Sequence, residues 1–294
     1  MLVHTLVCEQ HLWFAVPCLR SLITFSEDPI SLVLHDDGSL TQGAIDLLLD
    51  SLPGAIVVPR KSADAEMSDA LAKFPNMAQA RTHLPYVLAM WDLTFTHPES
   101  IVRYLDSDVL FQRRFRGLFP VSTGSASGAF MKDCADCYAA HPGDFWPLGP
   151  LRLPSHLNAG MFWIQRDRID YDRMEYLFKR WGPARIRKYH GWIAQTFWAD
   201  QAWRAGCSMF DPAQLGIAGP MEGVNRELIG VHYVTPQRTL LKAALESASD
   251  DREEPVEPAP RQVEDIRLCS FKSFGLFQAA LVVARSLAAR PSAG

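Results

Sequence analysis

The chain reads as an α/β domain built on a mainly parallel sheet, and three observations carry that expectation. Short apolar runs alternate with stretches whose apolar residues recur at helical spacing, the pattern of strands covered by helices on both faces. The chain has 294 residues, 48% of them apolar, enough to bury one large core. Finally, the run Ile101-Val102-Arg103-Tyr104-Leu105 ends in Asp106-Ser107-Asp108. Alternate residues of an extended chain face the same way, so two carboxylates are expected to share one side of a strand end.

Taken in order, residues 2–7 form a buried first strand, and 13–25 carry apolar residues at helical spacing, with Pro17 tolerated in the first turn. Residues 30–34 are a second strand running into His35-Asp36-Asp37-Gly38, and Ser39 with Gln42 reads as a capping box for a helix through Leu49. Pro53-Gly54 closes that unit before a third strand at 55–58. Residues 78–93 read as a helix that Pro85 starts or kinks, and it delivers the chain to the strand before Asp106. The stretch 124–128 is a small flexible connection without a phosphate-loop or nucleophile-elbow pattern. Residues 160–164 form another buried strand, followed by helices around Met174 to Trp181 and over 192–203.

The segment 241–264 is acidic and contains prolines, a composition that cannot bury a core, and is expected to be a linker. Residues 265–294 are expected to form a basic amphipathic helix that meets a membrane surface or a partner, or docks on the domain. Residues 1–240 are left as the folded domain.

Composition excludes several classes. A net charge of -4 and a pI near 6.1 give no global attraction to nucleic acid or anionic lipid. No apolar run approaches the roughly 18 residues of a membrane span, and His4, Glu9 and His11 stand where a signal peptide would be apolar. A cytoplasmic protein is expected, peripheral to a membrane only through its tail. The six cysteines are scattered apart from Cys134 and Cys137, which lack the second pair of a zinc site. Reduced thiols are expected.

Paired aspartates at the open end of a parallel sheet suit a hard divalent cation that keeps positions open for diphosphate oxygens. Four further segments fall in a meaningful order around them: Ala80-Arg81 with Leu84-Pro85; Leu157-Asn158-Ala159-Gly160-Met161-Phe162; Asp200-Gln201; and Val231-His232-Tyr233 followed by Arg238. With Tyr104-Leu105-Asp106-Ser107-Asp108-Val109, this order resembles the retaining nucleotide-sugar transferases of glycosyltransferase family 8. The likeness covers about residues 1–240.

The resemblance implies a GT-A fold with a Rossmann-like central sheet, a UDP-sugar donor carrying glucose or galactose, and a saccharide or lipid-linked saccharide acceptor. It implies Asp106, Asp108 and His232 as metal ligands, the imidazole favouring Mn²⁺ over Mg²⁺. Thr5, Asp37, Arg81, Asp106, Ser107 and Arg238 would contact the nucleotide, Thr5 at its base and Arg81 and Arg238 at its diphosphate, with Arg238 standing where the family usually has lysine. Asn158, Ala159 and Gly160 would meet the donor sugar, Asp200 would bind its hydroxyls, and Gln201 would lie beneath the anomeric carbon. Three alternatives stay open. An inverting enzyme would use Asp200 or Asp144 as base. A non-catalytic glycan-binding scaffold would keep the fold without turnover. A sugar nucleotidyltransferase would want glycines after the first strand, where Cys8-Glu9-Gln10-His11-Leu12-Trp13 has none.

Overall fold

The structure, a computed structural model, describes residues 1–219, 228–247, 255–257, 260–261 and 268–269, apart from 97–98, 123, 125, 147 and 189. Its first part follows βαβ logic. The elements β1 (Leu2–Val7), α1 (Leu12–Phe25), β2 (Ser31–Asp36), α2 (Gln42–Ser51) and β3 (Ile56–Val58) lay down three neighbouring parallel strands. The helices α3 (Arg60–Ala70), α4 (Pro75–His83) and α5 (Leu88–Phe95) then lead to β4 (Ile101–Leu105), which adds in parallel on the other side of β1.

The chain next departs from a simple parallel order. After the short β5 (Val109–Phe111), the strands β6 (Gly128–Lys132) and β7 (Leu157–Gln165) enter the main sheet, with β7 antiparallel to both β4 and β6. Next come α6 (Tyr171–Lys188, broken at Gly182, φ 70), α7 (His190–Ala205), β8 (Ser208–Phe210), β9 (Leu215–Ile217), β10 (Gly230–His232), α8 (Arg238–Ser247) and the edge strand β11 (Pro260–Arg261). The eight-stranded sheet runs β11-β8-β6-β7-β4-β1-β2-β3, and a three-stranded sheet β5-β10-β9 lies apart from it. The expected α/β class with a mostly parallel sheet is what the structure has.

Two apolar layers cover the main sheet. On one side Phe162 stacks on Phe130 and meets the tilted ring of Trp198, at ring distances of 4.8 and 4.6 Å, in a layer that includes Trp91, Phe178 and Phe197. The other layer joins Val3, Val7, Leu34, Leu105 and Met161 to Leu19, Leu22 and Leu48 of the covering helices. Each fully buried side chain of this size contributes about 1.5–3 kcal/mol. A third cluster, of Phe14, Leu110, Val231, Tyr233 and Leu241, seats α8 on α1 and the small sheet. Among the described residues no helix is long and apolar enough to cross a membrane.

Several local expectations change. Leu84 is extended, as a residue before proline prefers, so the expected single helix at 78–93 splits into α4, a tight turn at Pro85–Val87, and α5. The cap of α2 is Thr41, whose hydroxyl accepts from Ala44 N at 3.3 Å. Ser39 instead donates to Asp37 and accepts from Glu9 N, so the cap lies two residues later than the sequence predicts. The expected linker at 241–264 begins too soon, since α8 runs to Ser247 and Val256 forms a bridge with Phe115. Of the terminal helix expected over 265–294, the described residues are Leu268 and Cys269. They lie extended against Pro154 and Leu153, and the rest falls outside the described residues. All six cysteines are unbridged.

Candidate metal centre

Three segments meet at the edge where β4 ends. Asp106-Ser107-Asp108 is the turn that carries the chain from β4 in the large sheet to β5 in the small one, closed by Val109 N donating to Asp106 O at 3.3 Å. The carboxylates therefore converge through a turn between two sheets, and not by strand alternation as expected. On one side Asp106 N donates to Gly160 O of β7 at 2.6 Å. On the other, β10 pairs antiparallel with β5, with His232 opposite Val109 and Tyr233 N donating to Asp108 O at 2.9 Å.

These backbone bonds bring the side chains together. His232 Nε2 lies 3.1 Å from Asp108 Oδ1 and 3.5 Å from Asp106 Oδ2. Asp106, Asp108 and His232 each offer one ligand atom, all within 4.8 Å of one another, and no other group of this kind occurs among the described residues. Cys134, Cys137 and His141 form none. Two carboxylates and one imidazole are a donor set for Mn²⁺ or Mg²⁺, with the imidazole favouring manganese.

The imidazole is oriented from behind. Asn158 Oδ1 accepts from Gly160 N at 2.8 Å and lies 3.0 Å from His232 Nδ1. An atom that accepts from a backbone N–H is an oxygen, so Nδ1 of His232 must be the donor to it, and Nε2 is the nitrogen left facing the carboxylates. The other end of the amide, Asn158 Nδ2, donates to Asp133 Oδ2 at 2.9 Å, and Gln195 Nε2 approaches the same oxygen at 3.4 Å. Gly160 makes room for all this. A Cβ there would lie 2.1 Å from His232 Cε1 and 2.9 Å from Asn158 Oδ1.

Charge divides the two aspartates. Burial and the neighbouring Asp108 charge push Asp106 up to about 6, against the pull of His232 and a hydrogen bond from Tyr104 Oη at 2.5 Å. Burial also opposes the Asp108 charge, but His232 and Arg238 outweigh it and hold this carboxyl below the usual range. Burial would neutralise His232, yet the two aspartates raise it above the ordinary imidazole value.

The other expected site residues divide clearly. Ser107 is the tip of the turn, and Ala159 and Gly160 lie on β7 beside it. Arg238 reaches Asp108, with Nε and Nη2 at 2.8 and 2.7 Å from Oδ2. Asp37 follows β2 at the same sheet edge, one oxygen bound to Ser39 N and Oγ. Thr5 is fully buried within β1, its hydroxyl without a hydrogen-bond partner among the described residues.

Three expected residues are used elsewhere. Arg81 forms a buried fork on Asp92, with Nε and Nη2 at 2.9 and 2.7 Å from its two oxygens, while Nη1 meets Asp64 at 2.5 Å. Asp200 is fully buried between Arg173 and Arg204. Gln201 bonds both backbone atoms of Asp170, at 2.8 and 3.2 Å. Asp170 lies beyond the far end of β7 from Gly160, so Asp200-Gln201 braces the opposite edge of the sheet. On α7 the residue that reaches the centre is Gln195, about 9 Å back along the helix axis. Asp133 was missed although its signal was present, an aspartate directly after a buried strand, as at Asp106. Gln195 carried no signal, being one amide on a largely apolar helix.

No protein-family model matches the chain, and no curated protein matches it in sequence. Solved structures do match its fold. The galactosyltransferase LgtC, solved in complex with donor and acceptor sugar analogs, superposes with a TM-score of 0.53 over 86% of this chain and 98% of that one, at 14% identity. The bifunctional glycosyltransferase WbbM, in its apo form, gives 0.50 over 79% of this chain and 45% of that one, at 10% identity. The chain thus has the GT-A fold of glycosyltransferases.

Three outcomes follow from the geometry. Replacing Gly160 with Ala drives the imidazole out of place and weakens Mn²⁺ binding by about 10- to 100-fold, read by electron paramagnetic resonance (EPR) titration; unchanged affinity contradicts the arrangement. Because protons on Asp106 and His232 compete with a cation, Mn²⁺ affinity rises with pH and is lost as pH falls through about 6. Replacing Arg81 with Met leaves Asp92 buried and unpaired, costing about 3–5 kcal/mol of stability in urea unfolding. A stable variant defective only in nucleotide binding would return Arg81 to the diphosphate.

Proposed function

We propose that this protein is a metal-dependent glycosyltransferase that moves a hexose, galactose or glucose, from a UDP-sugar to a saccharide or lipid-linked saccharide, with retention at the anomeric carbon. The convergence of Asp106, Asp108 and His232 at the open edge of a GT-A sheet carries this proposal. LgtC, a galactosyltransferase solved with donor and acceptor sugar analogs, supports the choice of hexose.

In this mechanism Asp106 and Asp108 offer oxygens and His232 offers Nε2, with Asn158 and Asp133 holding the ring in place. A cation bound there supplies electrostatic stabilisation of the departing diphosphate, worth several kcal/mol. Arg238 presents its N–H fork to the diphosphate. Asp37 is assigned to the nucleoside, and Ser107 to the diphosphate at the tip of the turn. The backbone of Asn158, Ala159 and Gly160 lines the donor sugar, with Asp133 and Gln195 in the roles expected of Asp200 and Gln201.

Retention is favoured by the state of the candidate bases. Asp200 is held by Arg173 and Arg204, and Asp144 by Arg185, so neither is free to take a proton from an acceptor. The acceptor hydroxyl instead attacks from the leaving-group side. The bond from the anomeric carbon to the diphosphate oxygen breaks, the glycosidic bond forms, and that oxygen takes the acceptor proton. A cytoplasmic site of action is part of this proposal, with the stretch after Cys269 meeting the membrane that carries a lipid-linked acceptor.

Incubation with Mn²⁺ and a panel of UDP- and GDP-hexoses, without acceptor, is expected to release UDP from UDP-galactose or UDP-glucose. Replacing Asp108 with Asn should cut that rate by about 1,000-fold while the protein keeps its fold by circular dichroism. Release from no donor, or wild-type turnover in the variant, would overturn the proposal. NMR of the glycosylated product gives the anomeric outcome, and an inverted product would reject retention.

A further inference from the structure

We infer that Arg238 is a built-in counter-cation that occupies Asp108 and yields it to a divalent ion only when a diphosphate draws the guanidinium away. This rests on the proposed metal centre and adds a coupling between its two ligands. Arg238 opens α8, and both its Nε and its Nη2 address the same atom, Asp108 Oδ2, at 2.8 and 2.7 Å. Oδ1 of that carboxylate faces His232 Nε2 at 3.1 Å. Both oxygens therefore have a partner before any ion arrives.

The two members of the pair differ in freedom. Asp108 is 4% exposed and fixed in its turn by the bond from Tyr233 N to its carbonyl. Arg238 is 29% exposed, on a long side chain whose Cζ lies 5.1 Å from the centre of the Phe14 ring and whose Nη1 is 3.5 Å from His11 Nε2. The guanidinium can leave Asp108 and stay on the Phe14 shelf, whereas the carboxylate cannot follow it.

An ion bound at Asp108 sets a second positive charge against Arg238, so the two compete for one buried carboxylate. A diphosphate removes the competition, because it takes the guanidinium fork bidentately. Each ligand therefore strengthens the other, and by linkage the factor is the same in both directions. A residue that merely held phosphate would leave ion binding alone unchanged when removed. Removing a competing residue makes it tighter.

Mn²⁺ affinity is measured by EPR for wild type, Arg238→Met and Arg238→Lys, each alone and with inorganic pyrophosphate, corrected for the Mn²⁺ complex that pyrophosphate forms in solution. Arg238→Met is expected to bind Mn²⁺ alone about 10-fold tighter than wild type, and pyrophosphate to tighten wild type by a similar factor but the variant little. Arg238→Lys, a point charge without the fork, should fall between, and remains informative if the Met variant fails a circular-dichroism check. Mn²⁺ bound by a folded variant no more tightly than by wild type overturns this inference and leaves the metal centre standing. No Mn²⁺ bound by wild type, even with pyrophosphate, removes the metal centre and the inference together.

Discussion

The register of two three-residue strands decides where the three candidate metal ligands meet. His232 can face Asp108 only because β10 pairs with β5 so that His232 lies opposite Val109. A slip of one residue would turn the imidazole to the other face of the small sheet. Such a short ladder holds few hydrogen bonds, so its register depends on what it packs against. Leu110, Val231 and Tyr233 are buried with Phe14 and Leu241, which ties the pairing to α1 and α8. Packing at this corner and ligand placement in the cleft are one constraint.

Around that corner the chain concentrates charge that it neutralises elsewhere. Arg81 with Asp92, Asp200 with two arginines, and Asp144 with Arg185 are closed pairs that brace helices. At the centre, Asp106 and Asp108 share one imidazole, and burial raises both carboxyls, but at Asp108 the charges of His232 and Arg238 outweigh it. A row of polar side chains from Asp133 through Asn158 to His232 holds the imidazole at a fixed angle, as the outer partners of metal-binding histidines do. Gly160 belongs to the same device, since its missing side chain is the space in which Asn158 and His232 meet.

Much of this was legible in the sequence, for local reasons. Asp106 and Asp108 stand two residues apart after an apolar strand, and the alternation of strands and helices fixed the fold class. His232 and Arg238 are expected only from their spacing and a family resemblance, since an isolated histidine has no local signature, and the structure sets both against Asp108. What failed were assignments that need three-dimensional phase. Asp200-Gln201 lies on the expected helix but at the wrong level, where one and a half turns separate the metal edge from the opposite edge of the sheet. Arg81 also lies on the expected helix, but Asp92, eleven residues on, takes its guanidinium. The reversed strand β7, which sets Asn158 and Gly160 beside Asp106, cannot be read from an apolar run that looks like its parallel neighbours.

The most direct measurement is anomalous diffraction at the manganese edge from crystals grown with Mn²⁺ and UDP. One peak is predicted within bonding distance of a carboxylate oxygen of Asp106, a carboxylate oxygen of Asp108 and Nε2 of His232, with Arg238 turned from Asp108 onto the diphosphate. A peak away from these three side chains, or nucleotide bound with no metal between them, would contradict the account.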